Sequence, residues 1–134
     1  MSRDLALCHP LLLPKVQAWL VAAAAAGLEP LVTCTYRPQA EQDKLYAQGR
    51  TTPGKVVTWT RHSNHSYTVG TLPCSLAVDF VPLIAGKPAW TANQPHWKAL
   101  GALAEAQGLS WGGRWARSRD LPHIELANAR EMNP

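Results

Sequence analysis

The sequence predicts an α+β domain in which about three helices pack on a small, mainly antiparallel sheet. Three observations lead there. Apolar runs of helical length alternate with only a few β-branched stretches, a pattern that favours helices laid against one small sheet. Eleven prolines and nine glycines among 134 residues exclude a helical bundle or coiled coil. Apolar residues make up 46% of the chain and charged residues 16%, enough to build a core and too apolar for disorder. The length suits one domain, taken as residues 1–134.

The elements follow in order. Residues 11–28, LLLPKVQAWLVAAAAAGL, resemble a signal-peptide core at first sight. Pro14, Lys15 and Gln17 interrupt the run, no basic segment precedes it, and it is too short for a span. An amphipathic helix explains it better: Val16, Leu20, Ala23 and Gly27 share a stripe, and Pro14 suits a first turn. Neither a secretory leader nor stable membrane insertion is therefore expected. Residues 31–36 (LVTCTY) are β-branched and aromatic enough for a strand. Residues 38–48 read as a second helix closed by Gly49. Residues 49–75 lack a helical period and read as one long irregular stretch, the kind of loop that is usually functional or mobile in a small domain. Residues 76–84 (LAVDFVPLI) form the strongest strand candidate, with Asp79 set inside an apolar run. A turn at 86–88, a third helix over 95–107 and short strands at 109–111 and 123–126 complete the chain.

Charge and cysteines narrow the class. Thirteen lysines and arginines against nine acids give a net charge of +4, a mild excess spread along the chain. It favours an anionic surface without the basic block that nucleic-acid binding would need. Cys8, Cys34 and Cys74 are odd in number and far apart, so buried thiols are expected and not a disulfide framework.

Three features carry chemistry. Asp79 is costly to bury in so apolar a strand unless it is paired or binds a metal. His123 opens a strand three residues after Asp120, offering a ligand and a base from one turn. His62 and His65 lie three apart in a polar loop. Two histidines and an aspartate from separate segments, with a further acid nearby, are what catalytic zinc needs: three protein ligands, one open position, and a carboxylate to take a proton from water. Taken singly, each residue also fits a solvated or salt-bridged role.

The motifs around these residues resemble a known family. Tyr36-Arg37-Pro38, then Glu41-Gln42, then residues 45–51 (LYAQGRT) and Pro53-Gly54-Lys55 are similar to the front half of the L-alanyl-D-glutamate peptidases. These belong to the D-alanyl-D-alanine carboxypeptidase-like zinc peptidases and include many phage endolysins. Ser63-Asn64-His65 resembles the family's S-x-H, residues 77–80 its A-V-D-F, and Trp111-Gly112-Gly113, Trp115 and residues 120–123 its closing W-G-G, W and D-x-P-H. The resemblance spans roughly residues 10–126.

It implies the Hedgehog/DD-peptidase-like zinc peptidase fold, with His65, Asp79 and His123 as zinc ligands and Asp120 as general base. It also implies that Arg37 contacts a substrate carboxylate or the oxyanion, with a structural salt bridge as the alternative. Gln42 is implied as a substrate contact or a helix-packing residue, and Ser63 as the residue that orders the metal loop. Trp111 and Trp115 are expected to wall the cleft. Trp19, Trp90 and Trp97 are expected in or at the edge of the core, and Trp59 in either place. The family's metal histidine usually stands about seven positions before its aspartate; here the separation is 14, so about seven residues are inserted, a tolerable loop extension. The insert leaves His62 as the alternative to His65 and is expected to bring Cys74 near the site.

The implied function is hydrolysis of the L-alanyl-D-glutamate bond of peptidoglycan through a zinc-activated water. The implied setting is that of a monomeric endolysin without signal peptide, kept in the host cytoplasm until holin-mediated release and then acting at the periplasm and cell wall. The alternatives are a D,D- or L,D-carboxypeptidase on the same scaffold, or a non-catalytic cell-wall-binding module, against which the intact set of four residues argues.

Overall fold

Pro14 fixes the first turn of helix α1 (Leu13–Ala25), and its buried stripe is Val16, Trp19 and Ala23. The computed structural model describes residues 1–134. Strand β1 (Glu29–Cys34) follows, then α2 (Gln39–Ala47), whose one buried side chain is Gln42. The long stretch expected to be irregular is so as far as Ser66. It then holds a two-stranded hairpin, β2 (Tyr67–Val69) against β3 (Leu72–Cys74). Strand β4 (Ala77–Ile84) carries Asp79 and turns into β5 (Lys87–Pro88), a short pairing partner where a turn was expected. Helix α3 (Pro95–Ala106) precedes β6 (Leu109–Trp111) and β7 (His123–Leu126). A short helix α4 (Ala129–Met132) closes the chain beyond the last expected element.

The main sheet runs β1-β4-β7-β6, every pair antiparallel, with β5 on β4; the α+β expectation holds, with four helices in place of about three. Helices α1 and α3 pack on each other and on this sheet. Trp19 joins the layers: its indole N–H donates to the Leu100 carbonyl at 2.9 Å, and its ring meets Phe80 edge-on with centroids 5.0 Å apart. Val78 and Phe80 point into this core, so by strand alternation Asp79 between them points out of it.

Register then places the site. Asp79 pairs with His123 across β4 and β7, and with Cys34 across β1 and β4, where a bulge between Val32 and Cys34 shifts the pairing. Cys34, Asp79 and His123 thus form one row over three neighbouring strands. Glu125, two residues along β7 from His123, faces the same side.

Candidate metal centre and cleft

Each side chain of the centre is held by its own backbone frame. The polar loop that carries His65 is pinned on three sides: Arg37 N–H donates to the His65 carbonyl at 2.9 Å, Leu76 N–H to the Asn64 carbonyl at 2.8 Å, and Ser63 Oγ accepts from His65 N–H at 3.1 Å. Ser63 therefore orders this loop. Asp120 is fixed by a close approach: its N–H donates to the Gly112 carbonyl at 3.0 Å, and a Cβ on Gly112 would lie 2.4 Å from the Asp120 carbonyl oxygen. Only glycine leaves room there. His123 N–H in turn donates to the Asp120 carbonyl at 3.2 Å, so Asp120 and His123 share one turn.

Three buried acceptors converge. His65 Nε2 lies 3.1 Å and His123 Nδ1 lies 3.3 Å from the same Asp79 oxygen, Oδ1. The other nitrogen of each ring is already used. His65 Nδ1 lies 2.7 Å from the Thr35 carbonyl, which can only accept, so Nδ1 carries the proton and Nε2 the lone pair. His123 Nε2 lies 2.7 Å from Glu125 Oε1, which likewise fixes its proton on Nε2 and leaves Nδ1 free. His65 Nε2 and Asp79 Oδ1 are buried without a hydrogen-bond partner. Lone pairs at such separations repel unless a cation lies among them. This donor set, two neutral imidazoles and a carboxylate with outer partners fixing each ring, fits a zinc ion.

Without a metal, protons take that role. Burial disfavours a charged His65, yet the adjacent Asp79 carboxylate outweighs it and pushes the group up to about 10. For His123 burial is again overcome, by the Asp79 and Glu125 carboxylates that accept from its ring, and the group moves up to about 9. Burial would raise Asp79, but the two histidines hold its carboxyl well below the usual carboxylate range. Glu125 is lowered in the same way, with His123 outweighing burial. Asp120 differs: burial raises it, only partly offset by His123. Its side chain stays 45% exposed, with Oδ2 3.9 Å from His123 Nδ1. A raised, reachable carboxylate beside the three acceptors is placed to take up and return a proton.

The centre opens into a cleft of about 780 Å³ whose walls include Arg37, Ser63, Trp90, Trp115 and Arg130. Trp115 lines it as expected, tilted against His123 with centroids 5.1 Å apart. Trp111 does not. It is buried at 4% exposure, its N–H donates to the Leu121 carbonyl at 2.9 Å, and its ring fills a notch where a Cβ on Gly101 of α3 would lie 2.1 Å away. Trp90, expected at the core edge, is 57% exposed and takes a place in the cleft wall. Trp19 and Trp97 are core, and Trp59 is exposed.

Gln42 is wholly buried and makes no cleft wall. Its Oε1 accepts from Arg37 Nη1 at 2.8 Å and its Nε2 donates to the Thr60 carbonyl at 2.6 Å, tying α2 to the loop before His65. Arg37 is turned inward as well, toward Gln42 and, at 3.6 Å, Asp79 Oδ2. His62 lines the cleft away from the three acceptors, its Nε2 3.2 Å from the Asn133 carbonyl oxygen.

All three cysteines are free and buried. The thiol at the centre is Cys34, 3.6 Å from His65 Nδ1, and not Cys74, which is held in β3. Two residues of the site were not singled out as such from sequence: Cys34, which only the strand register reveals, and Glu125, whose two-residue spacing from His123 on a strand was the available signal.

Known proteins resemble the chain in both sequence and fold. The sequence profile of the family described as D-alanyl-D-alanine carboxypeptidase matches residues 57–126. The peptidoglycan L-alanyl-D-glutamate endopeptidase CwlK of Bacillus subtilis (strain 168) is 35% identical over 128 residues, which cover 88% of this chain and 72% of that protein. The crystal structure of the L-Ala D-Glu endopeptidase ChiX of Serratia marcescens shares the fold, with a TM-score of 0.72 and 22% identity over 98% of this chain and 88% of that one.

Proposed function

Because the chain belongs to the D-alanyl-D-alanine carboxypeptidase family of metallopeptidases, we propose that it is a zinc-dependent endopeptidase that hydrolyses the L-alanyl-D-glutamate bond of peptidoglycan stems. The observation that carries this reading is the convergence of His65 Nε2, His123 Nδ1 and Asp79 Oδ1, with Asp120 alongside. Those three residues would hold the zinc. When bound it supplies Lewis acidity, polarising the scissile carbonyl and making water acidic enough to attack near neutral pH.

The chain's own groups do the rest. Thr35 and Glu125 keep His65 and His123 in the tautomers that present a lone pair. Arg37, steadied by Gln42, keeps its guanidinium 3.6 Å from Asp79 Oδ2. The Asp120 carboxylate takes a proton from the attacking water and gives it to the leaving D-glutamyl amine. The site's burial keeps Asp120 from being too weak a base for that transfer. Trp115 and Trp90 wall the path by which an extended peptide reaches the centre.

The single hydrophobic cluster joining α1, α3 and the sheet supports one domain over residues 1–134. The net charge of +4 suits an anionic wall. In the phage setting that the resemblance implies, the enzyme works as a monomer on the wall once a holin has opened the membrane. No helix of the chain is long and apolar enough to cross a membrane.

Digestion of purified peptidoglycan tests the reaction. New L-alanine carboxyl ends paired with D-glutamate amino ends are expected; released D-alanine would replace this reading with a carboxypeptidase. His65→Ala and His123→Ala should each lose bound zinc and lysis, whereas His62→Ala keeps both. Equal zinc content in wild type and His65→Ala would overturn the ligand assignment.

A further inference from the structure

The substrate named above has a feature that the centre itself does not meet. A D-glutamyl residue joined through its amine carries two carboxyl groups, and a peptide extends through only one of them. A free carboxylate therefore lies one or three carbons from the scissile nitrogen, and burying it beside Asp79 and Asp120 without a cation would be costly.

Two arginines line the cleft. Arg37 is engaged with Gln42 and Asp79. Arg130 is different: its side chain makes no hydrogen bond or ion pair within the protein, and its guanidinium lies over the Trp115 ring, 5.7 Å from the centroid. Trp115 in turn abuts His123. A guanidinium lying over an indole keeps its in-plane N–H groups free for a two-pronged contact with a carboxylate. Arg114 shows the contrast, because it lies over Trp111 but spends its donors on Glu105 at 3.1–3.2 Å.

The turn that presents Arg130 is anchored at both ends. Ala129 is fully buried in the core, and Asn133 Nδ2 donates to Asn64 Oδ1 at 3.1 Å and to the Ser63 carbonyl at 3.3 Å, in the loop that carries His65. The backbone of Arg130 is thus held at a fixed offset from the centre. We infer that Arg130, laid over Trp115, is the residue that takes the free carboxylate of the substrate's glutamyl residue and so selects acidic over amidated stems. The inference rests on the proposed endopeptidase reading.

The test compares two synthetic stem peptides, one with that carboxylate free and one with it amidated, on wild type and Arg130→Gln. Wild type should favour the free acid in kcat/KM by about 10- to 100-fold, the scale of one charge-assisted pair of hydrogen bonds. In Arg130→Gln the preference should collapse to within a factor of about 3, carried mainly by KM. Calorimetric binding of the D-glutamate-ended product peptide to metal-free protein should show the same dependence on Arg130. A preference and a binding constant unchanged by Arg130→Gln would overturn the inference and leave the reaction standing. A wild type that cuts neither peptide, yet binds the free acid through Arg130, would overturn the reaction and leave the carboxylate site standing.

Discussion

Glu125→Gln separates the two carboxylates that lie near His123. Glu125 is buried, and its Oε1 accepts from His123 Nε2 at 2.7 Å and from Asn64 Nδ2 at 3.3 Å. A glutamine of the same shape keeps an oxygen for both donors and loses only the charge. Hydrogen bonds to charged groups contribute ~1.5–3 kcal/mol and neutral ones ~0.5–1.5 kcal/mol, so the change removes about 1–1.5 kcal/mol from the hold on His123. That corresponds to a zinc affinity weaker by about tenfold. Glu125→Ala strands the His123 N–H in a buried site and should cost up to ~100-fold, the upper range for outer partners of metal histidines. Competition with a chromophoric chelator measures the affinity, and turnover at saturating zinc measures what remains of the chemistry. For Glu125→Gln that turnover should stay within a factor of about 3, because no proton transfer passes through Glu125. Unchanged affinity with turnover down by ~10²-fold or more would make Glu125 the base and refute this division of labour.

Asp120→Asn should fold, bind about one zinc by mass spectrometry and lose ~10²–10⁴-fold in turnover, the scale for a positioned acid–base group; activity within a few-fold of wild type would remove Asp120 from the mechanism. Gly112→Ala places a Cβ 2.4 Å from the Asp120 carbonyl oxygen, so that turn must move by about 1 Å; turnover should fall about 10²-fold while the protein still melts cooperatively, and full activity would contradict the close approach. The metal-free protein should lose stability toward alkaline pH. His65 and His123 bind protons more tightly folded than unfolded, so their contribution is full below about 6.5 and disappears as pH rises through about 9 to 10. Urea midpoints measured with chelator present should fall from pH 7 to 10, and a rise over that range would contradict the Asp79–histidine contacts. The zinc-bound protein, with both rings already neutral, should lack that loss, and its zinc affinity should fall as pH drops.

How much of this was legible in the sequence follows from which forces are local. Strand β4 and helices α1 and α3 could be read because a run of 8 to 13 residues buries its own pattern, and Asp79 stood out because a carboxylate there violates that pattern. Hairpin β2–β3 was not legible: its strands are three residues each and largely exposed, so no apolar alternation marks them. Trp111 and Trp90 exchanged their expected places for a non-local reason. The space that takes the Trp111 ring exists because α3 has a glycine at 101, ten positions earlier, whereas Trp90 stays 57% exposed. Cys34 enters the site through the bulge in β1, and Gln42 leaves the cleft because the Thr60 carbonyl, the Thr58 hydroxyl and Arg37 all meet its buried amide. Such pairings depend on register and layer geometry, which linear spacing does not encode.

The hairpin between His65 and Asp79 has a consequence for how this chemistry can be varied. It leaves the pinned loop at Ser66 and returns at Ser75, where Ser75 N–H donates to the Leu7 carbonyl and His9 N–H to the Ser75 carbonyl, both at 2.8 Å. Leu76 N–H on the Asn64 carbonyl and the Tyr67–Cys74 pairing close the stem, so the Gly70–Thr71 tip lies outside the frame that holds His65 and Asp79. Each doubling of such a loop costs only about 0.6 kcal/mol in closure entropy. Residue count between histidine and aspartate is then a free variable of the scaffold, and the tip is a natural splice point: a recognition peptide grafted there would travel with the enzyme without touching its metal.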